Sequence, residues 1–429
     1  MKALRRFAVD LIMVSLSVII VIIAAEALLR LTSYRRMLLN RESPRYYYRP
    51  DSVTSYDIRE NFGEKVFNLY AERVKYKLWS NELGCFDRPY AGETDYALLV
   101  GDSFAFGYVP YGDNWATVAE EALGYRVLKC GVVGFSTGQE LVKAGRVIEK
   151  TGVSPKLIIV AYFFNDLEED YLSPKRKYAG GYLIKFRELT DLGTGRFSEV
   201  EGDLEERFRN WERYMTFTEP ENRLVSRIKT WLWNHSIIYM MTKDRIKGLL
   251  SSLKTGGKPE AEQSREEEDI SAQVRYLAFY PPKKYPWLEK AWENNLSNLK
   301  QFRDLAEKNG SRLLVVIIPY KGQVYPFLMP VSGLDLELPN RKLHAFFDSN
   351  DIDYIDLLPY FRDHADLTPK PFLDPVNDLY WRYDGHWNIK GNRLAGLLVS
   401  GYVLEKGLLD IPDSENKLLY IREQLKKLN

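Results

Sequence analysis

Past residue 95 the chain alternates short apolar runs with amphipathic stretches. The runs are Tyr96–Val100, Tyr125–Cys130, Leu157–Phe164, Leu313–Ile318 and Ile352–Leu358. Each is short and rich in aliphatic or β-branched residues, the signature of strands covered on both faces. Helical spacing of apolar positions predicts helices near 115–123, 137–150, 286–308, 339–349 and 389–405. Strand–helix alternation of this kind predicts a parallel sheet with helices on both sides, over residues 95–410, with a further helix over 411–429. Between about 170 and 285 the alternation stops. That stretch carries Trp211, Trp231, Trp233 and many charges, and reads as a largely helical insertion. Its run 260–269 has six acids and one arginine, the pattern of a solvated loop rather than a metal site.

The other strong pattern is at the start. Residues 7–29 have an uncharged core from Leu11 to Ala25, with Asp10 and Glu26 near its ends. Helical residues over that span reach about 34 Å, enough for a hydrocarbon core of about 30 Å. Lys2, Arg5 and Arg6 precede it. We read it as an uncleaved membrane anchor, residues 1–30. A cleaved signal peptide, with Ala25-Glu26-Ala27 as an A-x-A-like site, and a buried helix of a soluble domain are the alternatives. Arg30, Arg35, Arg36, Arg41 and Arg45 follow the span, and a literal positive-inside count would keep the large domain inside the cell. Large domains translocate despite such charge, so the expected placement is extracytoplasmic. Residues 31–94 form a membrane-proximal lead-in, with a small hairpin expected over 66–78 and a turn over 81–89.

Composition changes the picture only by exclusion. The 429 residues are 45% hydrophobic and 28% charged, ordinary for a globular protein. Sixty basic and 59 acidic residues give a net charge of +1, with no global excess that would point to nucleic acid. Two cysteines, Cys85 and Cys130, exclude a disulfide-stapled scaffold and a cysteine-rich metal site, but allow one disulfide. Four histidines, His235, His344, His364 and His386, are the whole choice for imidazole chemistry.

Four short stretches fall where strands should end, the edge that lines the ligand crevice of a parallel sheet. Gly101-Asp102-Ser103-Phe104 can expose a serine hydroxyl and its N–H, or can be a plain turn. In 131–137, Gly131 and Gly134 allow close backbone approach and can free an N–H; the alternative is a turn before a helix. Asn165 after the most apolar strand can donate its amide to an oxyanion, or begin an Asn-Asp turn. Asp384-Gly385-His386 puts a carboxylate two residues before an imidazole, where it can hold the tautomer a base needs. The other histidines lack that setting: His344 belongs to an amphipathic helix and His364 to a charged loop. Asp102 fits a turn-forming residue better than a second acid.

Taken together, these stretches resemble the four blocks of the SGNH, or GDSL-like, hydrolases, with Ser103, Gly134, Asn165 and His386 matching the residues that name the family. The resemblance covers roughly 95–170 and 310–405. It implies a flavodoxin-like three-layer α/β/α fold and ester chemistry needing no cofactor or metal. Ser103 would attack the carbonyl, His386 would carry the proton, and Asp384 would orient His386. The N–H groups of Ser103 and Gly134 and the Asn165 amide would receive the oxyanion. Two features depart from the usual pattern. The last block has Asp384-x-His386 where many members have Asp-x-x-His, a spacing similar to the membrane-associated polysaccharide O-acetylation branch. Phe163 stands where many members carry glycine. The implied function is a membrane-anchored serine esterase or O-acyltransferase acting on acyl esters of an envelope glycan. A lipid-directed esterase and a non-catalytic glycan-binding or assembly protein are the alternatives. Trp381, Tyr383 and Trp387 are either sugar-stacking surfaces or core packing.

Overall fold

The computed structural model describes residues 2–32, 41–42, 44, 46–69, 72, 74–179, 182–199, 228, 231–232, 236–239, 241–242, 274, 276–329 and 333–428. The chain divides into two compact units. The smaller contains the helix Lys2–Arg30, whose stretch Ile12–Arg30 is long and apolar enough to cross a membrane, with most of its described apolar side chains exposed. Within the same unit the Glu26 carboxylate accepts hydrogen bonds from Arg30 Nε, Ser236 Oγ and the N–H groups of Ile237 and Ile238.

The larger unit is built on a five-stranded parallel sheet. We number its strands β1 (Ala97–Gly101), β2 (Val127–Lys129), β3 (Leu157–Tyr162), β4 (Arg312–Ile317) and β5 (Asp353–Asp356). Their spatial order is β2-β1-β3-β4-β5, the doubly wound order of flavodoxin-like sheets. In register, Ala97 lies beside Leu157 and Gly101 beside Ala161, while Arg312 lies beside Leu157 and Ile317 beside Tyr162.

Side chains alternate across a strand, so a sheet covered twice must feed two cores. Leu98, Val100, Ile158, Val160, Val315 and Ile317 enter one core, with α2 (Thr137–Thr151), α3 (Trp287–Asn309) and α4 (Leu338–Asn350) over it. Ala97, Leu99, Ile159, Ala161, Leu314 and Val316 enter the other, under α1 (Trp115–Leu123) and α5 (Ile389–Glu405). The last helix, Ser414–Lys426, packs along α5. Every strand and helix expected for this domain is present, within a few residues of its predicted ends.

The lead-in contains the expected hairpin, Lys65–Leu69 and Val74–Leu78, and a second, Tyr48–Asp51 with Ser55–Ile58, that the apolar pattern does not announce. The beginning of the insertion departs from its helical reading, while its described residues 228, 231–232, 237–239 and 241–242 are helical. Its described beginning is two antiparallel pairs, Arg176–Ala179 with Tyr182–Lys185 and Arg187–Asp191 with Arg196–Glu199. The second turns where Asp191 Oδ1 accepts the N–H of Gly193, an Asx turn that short polar–glycine loops favour over a helix. Trp211, Trp233, His235 and the acidic run 260–269 lie outside the described residues. The two cysteines are joined, Cys85 to Cys130, which ties the lead-in to the end of β2.

Candidate active site

The nucleophile is placed by a short turn of helix. β1 ends at Gly101, and Ser103–Phe106 follows at once. Asp102 caps this turn by accepting the N–H of Phe104 at 2.8 Å, so Ser103 stands at the helix start, where the N–H groups have no helical partner. Among the described residues the Ser103 N–H donates to no protein acceptor.

The base arrives from the other end of the chain. Asn388 caps α5 by accepting the N–H of Gly391, and His386 lies just before it. His386 Nε2 is 2.7 Å from Ser103 Oγ, across a separation of 283 residues. Its Nδ1 is 2.5 Å from Asp384 Oδ1, and the same oxygen accepts the His386 backbone N–H at 2.9 Å. With Nδ1 protonated toward the carboxylate, Nε2 offers its lone pair to the serine, the tautomer general-base catalysis needs. The imidazole is wedged between the rings of Phe104 and Tyr108, with centroids 4.8 and 4.5 Å away. Lys321 Nζ fastens the loop below by donating to the carbonyls of Trp381, Arg382 and Asp384 at 2.6, 2.9 and 3.2 Å.

The oxyanion side comes from the ends of β2 and β3. Val132 N–H donates to the Gly101 carbonyl at 2.9 Å, joining the second block to the first. A side chain at Gly131 would meet Phe106 N at 2.5 Å, so only glycine lets this loop lie against the serine's helix. Gly134 has φ +72, and its N–H, like that of Ser103, meets no protein acceptor among the described residues. Asn165 begins the helix Asp166–Tyr171. One proton of its amide goes to Asp102 Oδ2 at 3.1 Å, and an amide carries two.

Asp102 therefore does more than shape a turn. It is fully buried and accepts from Phe104 N–H and the Asn165 amide, and its Oδ2 lies 3.1 Å from Ser103 Oγ, farther than His386 Nε2 at 2.7 Å and competing with it for the one hydroxyl proton. Burial pushes its carboxyl up, and those donors together with His386 pull against the rise. Behind it lies a group of acids the sequence does not announce. Glu140, from the first turn of α2, is fully buried, and neither carboxyl oxygen has a hydrogen-bond partner among the described residues. Burial drives its carboxyl far up, with Asp102, Asp170 and Glu169 adding repulsion; Asp166 is raised in the same way. No group of ligating side chains suited to a metal ion occurs among the described residues.

The structure thus joins Ser103, His386 and Asp384 by direct hydrogen bonds and links Asn165 to the same turn. His344 pairs instead with Asp356 at 2.9 Å and stacks on Tyr354. His364 Nδ1 lies 2.8 Å from the Tyr360 carbonyl, remote from these bonds. Trp381 and Trp387 are 4% and 1% exposed, which makes them core packing rather than a sugar-stacking surface. Phe163 packs on Phe104, with ring centroids 4.5 Å apart.

No family model matches the chain, and no curated relative matches it. Among solved structures it is similar to an acetyl xylan esterase (12% identity, 72% of this chain and 99% of that one, TM-score 0.33). It is also similar to a GDSL-like lipase from Bacteroides thetaiotaomicron (11% identity, 75% and 92%, TM-score 0.31). At scores this low the likeness carries nothing further, and the site stands on its own geometry.

Proposed function

We propose that this chain is an SGNH-type serine hydrolase or O-acyltransferase acting on ester bonds. The observation that carries the reading is the unbroken relay Asp384–His386–Ser103, with bonds of 2.5 and 2.7 Å, beside two backbone N–H groups, those of Ser103 and Gly134, that meet no protein acceptor among the described residues. Ser103 Oγ attacks the acyl carbon as its proton passes to His386 Nε2. The carbonyl oxygen gains charge and takes hydrogen bonds from Ser103 N, Gly134 N and Asn165 Nδ2. His386 then protonates the leaving alcohol, and the acyl-serine is released to water or to an acceptor hydroxyl by the reverse steps.

The substrate we infer is an acylated envelope glycan, met by a domain anchored through residues 7–29 and held outside the cytoplasm. The short Asp384-x-His386 spacing supports the glycan, through its similarity to the polysaccharide O-acetylation branch. The Cys85–Cys130 pairing supports an oxidising compartment. Turnover of a small acetyl ester, with and without added glycan acceptor, tests the reading. A fluorophosphonate probe should label wild type and leave Ser103→Ala unlabelled. Absence of labelling and of ester turnover in the folded, full-length protein would overturn it.

A further inference from the structure

Two residues outside all four blocks converge on the second one. Tyr56 comes from the lead-in hairpin, and Arg176 begins the first strand of the insertion. The Tyr56 hydroxyl lies 3.1 Å from the Val133 carbonyl and 2.8 Å from the Gly134 carbonyl. Arg176 Nη1 donates to the Gly134 carbonyl at 3.2 Å and to Glu169 Oε1 at 2.7 Å.

We propose that Tyr56 and Arg176 are positioning residues that aim the Gly134 N–H into the oxyanion hole. The inference rests on the serine-hydrolase reading above. In a planar trans peptide the C=O of one residue and the N–H of the next point in opposite directions. The N–H of Gly134 shares its plane with the Val133 carbonyl. A donor that grips that carbonyl from one side therefore sets where the N–H points on the other.

A tyrosine hydroxyl has one proton and two carbonyls within reach. Arg176 supplies the nearer of them, the Gly134 carbonyl, with a second donor at 3.2 Å, so the tyrosine hydroxyl is shared between the two peptides that flank Gly134 and holds both in place. Tyr56 is 0% exposed, and burial raises its pKa, so it stays a protonated donor. Burial works against the Arg176 charge, and Glu169 more than restores it. The same clamp lies close against the glycine. A Cβ at Gly134 would lie 2.2 Å from Arg176 Nη1, besides having to accept a left-handed backbone. Without the clamp, a glycine at a turn is free to rotate its flanking peptides, and the hole would lose a fixed donor.

The test is steady-state kinetics on a small acetyl ester with the full-length protein. Tyr56→Phe removes the hydroxyl and keeps the ring, which packs edge-on against Phe135. It should lower kcat about 10- to 100-fold, less than outright loss of one oxyanion donor, with KM nearly unchanged. The pH at which activity falls on the acidic side should not move, because the His386–Asp384 pair is untouched. Arg176→Lys keeps the charge beside Glu169 but not the planar reach, and should lower kcat by a smaller factor in the same pattern. If Tyr56→Phe fails to fold, Arg176→Lys carries the test alone. Wild-type kcat in the folded variant, or a loss confined to KM, overturns the clamp. Failure of the parent reading looks different: wild type itself then shows no Ser103-dependent turnover.

Discussion

The two halves of this site are held in different ways. On the nucleophile half, the acid–base groups take hydrogen bonds from residues next to them in sequence, and Lys321 and the Phe104 and Tyr108 rings brace them from farther off. Asp102 caps the turn that presents Ser103, and Asp384 grips both the ring and the backbone of His386 two residues on. On the oxyanion half, the loop 131–136 is placed by residues far from it. Tyr56 is 78 positions from Gly134 and Arg176 is 42. The attacking group and its base must be kept in register through every step of turnover, and local hydrogen bonds do that cheaply. A backbone N–H has no side chain to steer it, so it can be aimed only by gripping the peptide from outside.

The largest effect should come from the locally built half. Removal of Ser103 or His386 alone should cost roughly 10⁴-fold or more in kcat, and the double variant should be little worse, since the relay acts as one unit. Asp384→Asn should cost less than Ser103→Ala, because the nucleophile remains. His364→Ala is the control and should turn over normally, as its Nδ1 lies against the Tyr360 carbonyl at its own helix end. Normal turnover by His386→Ala would show that the relay is not the machinery.

The oxyanion half should respond next. Asn165→Ala should lower kcat by roughly 10²–10³-fold with a smaller change in KM. Asn165 also bonds Asp102, so the variant must be checked for fold by its melting temperature. Gly134→Ala should lose activity on a similar scale, as the new methyl group displaces Arg176. Its partial recovery in a Gly134→Ala, Arg176→Ala double variant, relative to the single, would sharpen the comparison. An unchanged kcat for Asn165→Ala would leave the hole to backbone groups alone.

The same division explains what was legible in the sequence. The sheet was, because each strand buried on both faces must be a short apolar run, and Leu157–Tyr162 or Arg312–Ile317 is little else. The four blocks were, because local placement leaves local motifs. Tyr56 and Arg176 were not: each sits in a segment of ordinary composition and acquires its role only when the chain folds back. The strands 176–199 were misread because tryptophans and charges dominate their surroundings, while the turn signals at Asp191, Gly193 and Gly195 are short. The tryptophans beside His386 could not be divided between core and surface, since burial is a property of the packed molecule.

The smallest expected effect falls where the halves meet. Glu140 is buried among Asp102, which serves the nucleophile turn, and Glu169, which serves Arg176. Burial and these neighbours raise its carboxyl well above its ordinary value, so the folded chain binds a proton that the unfolded chain releases above the usual carboxylate range. Stability contributed by that proton is complete below the unfolded pKa, near 4.5, and is lost as pH rises through the folded value. Glu140→Gln keeps the shape of the neutral acid and cannot ionise. Its melting temperature should match wild type near pH 4.5 and exceed it increasingly toward pH 8, by about 1–2 °C for each kcal/mol of avoided charge burial at this chain size. A melting-temperature series over that range decides the matter. A difference that stays constant with pH would show a packing change only, and a variant that falls further behind wild type as pH rises would show that the Glu140 carboxylate is held by a partner.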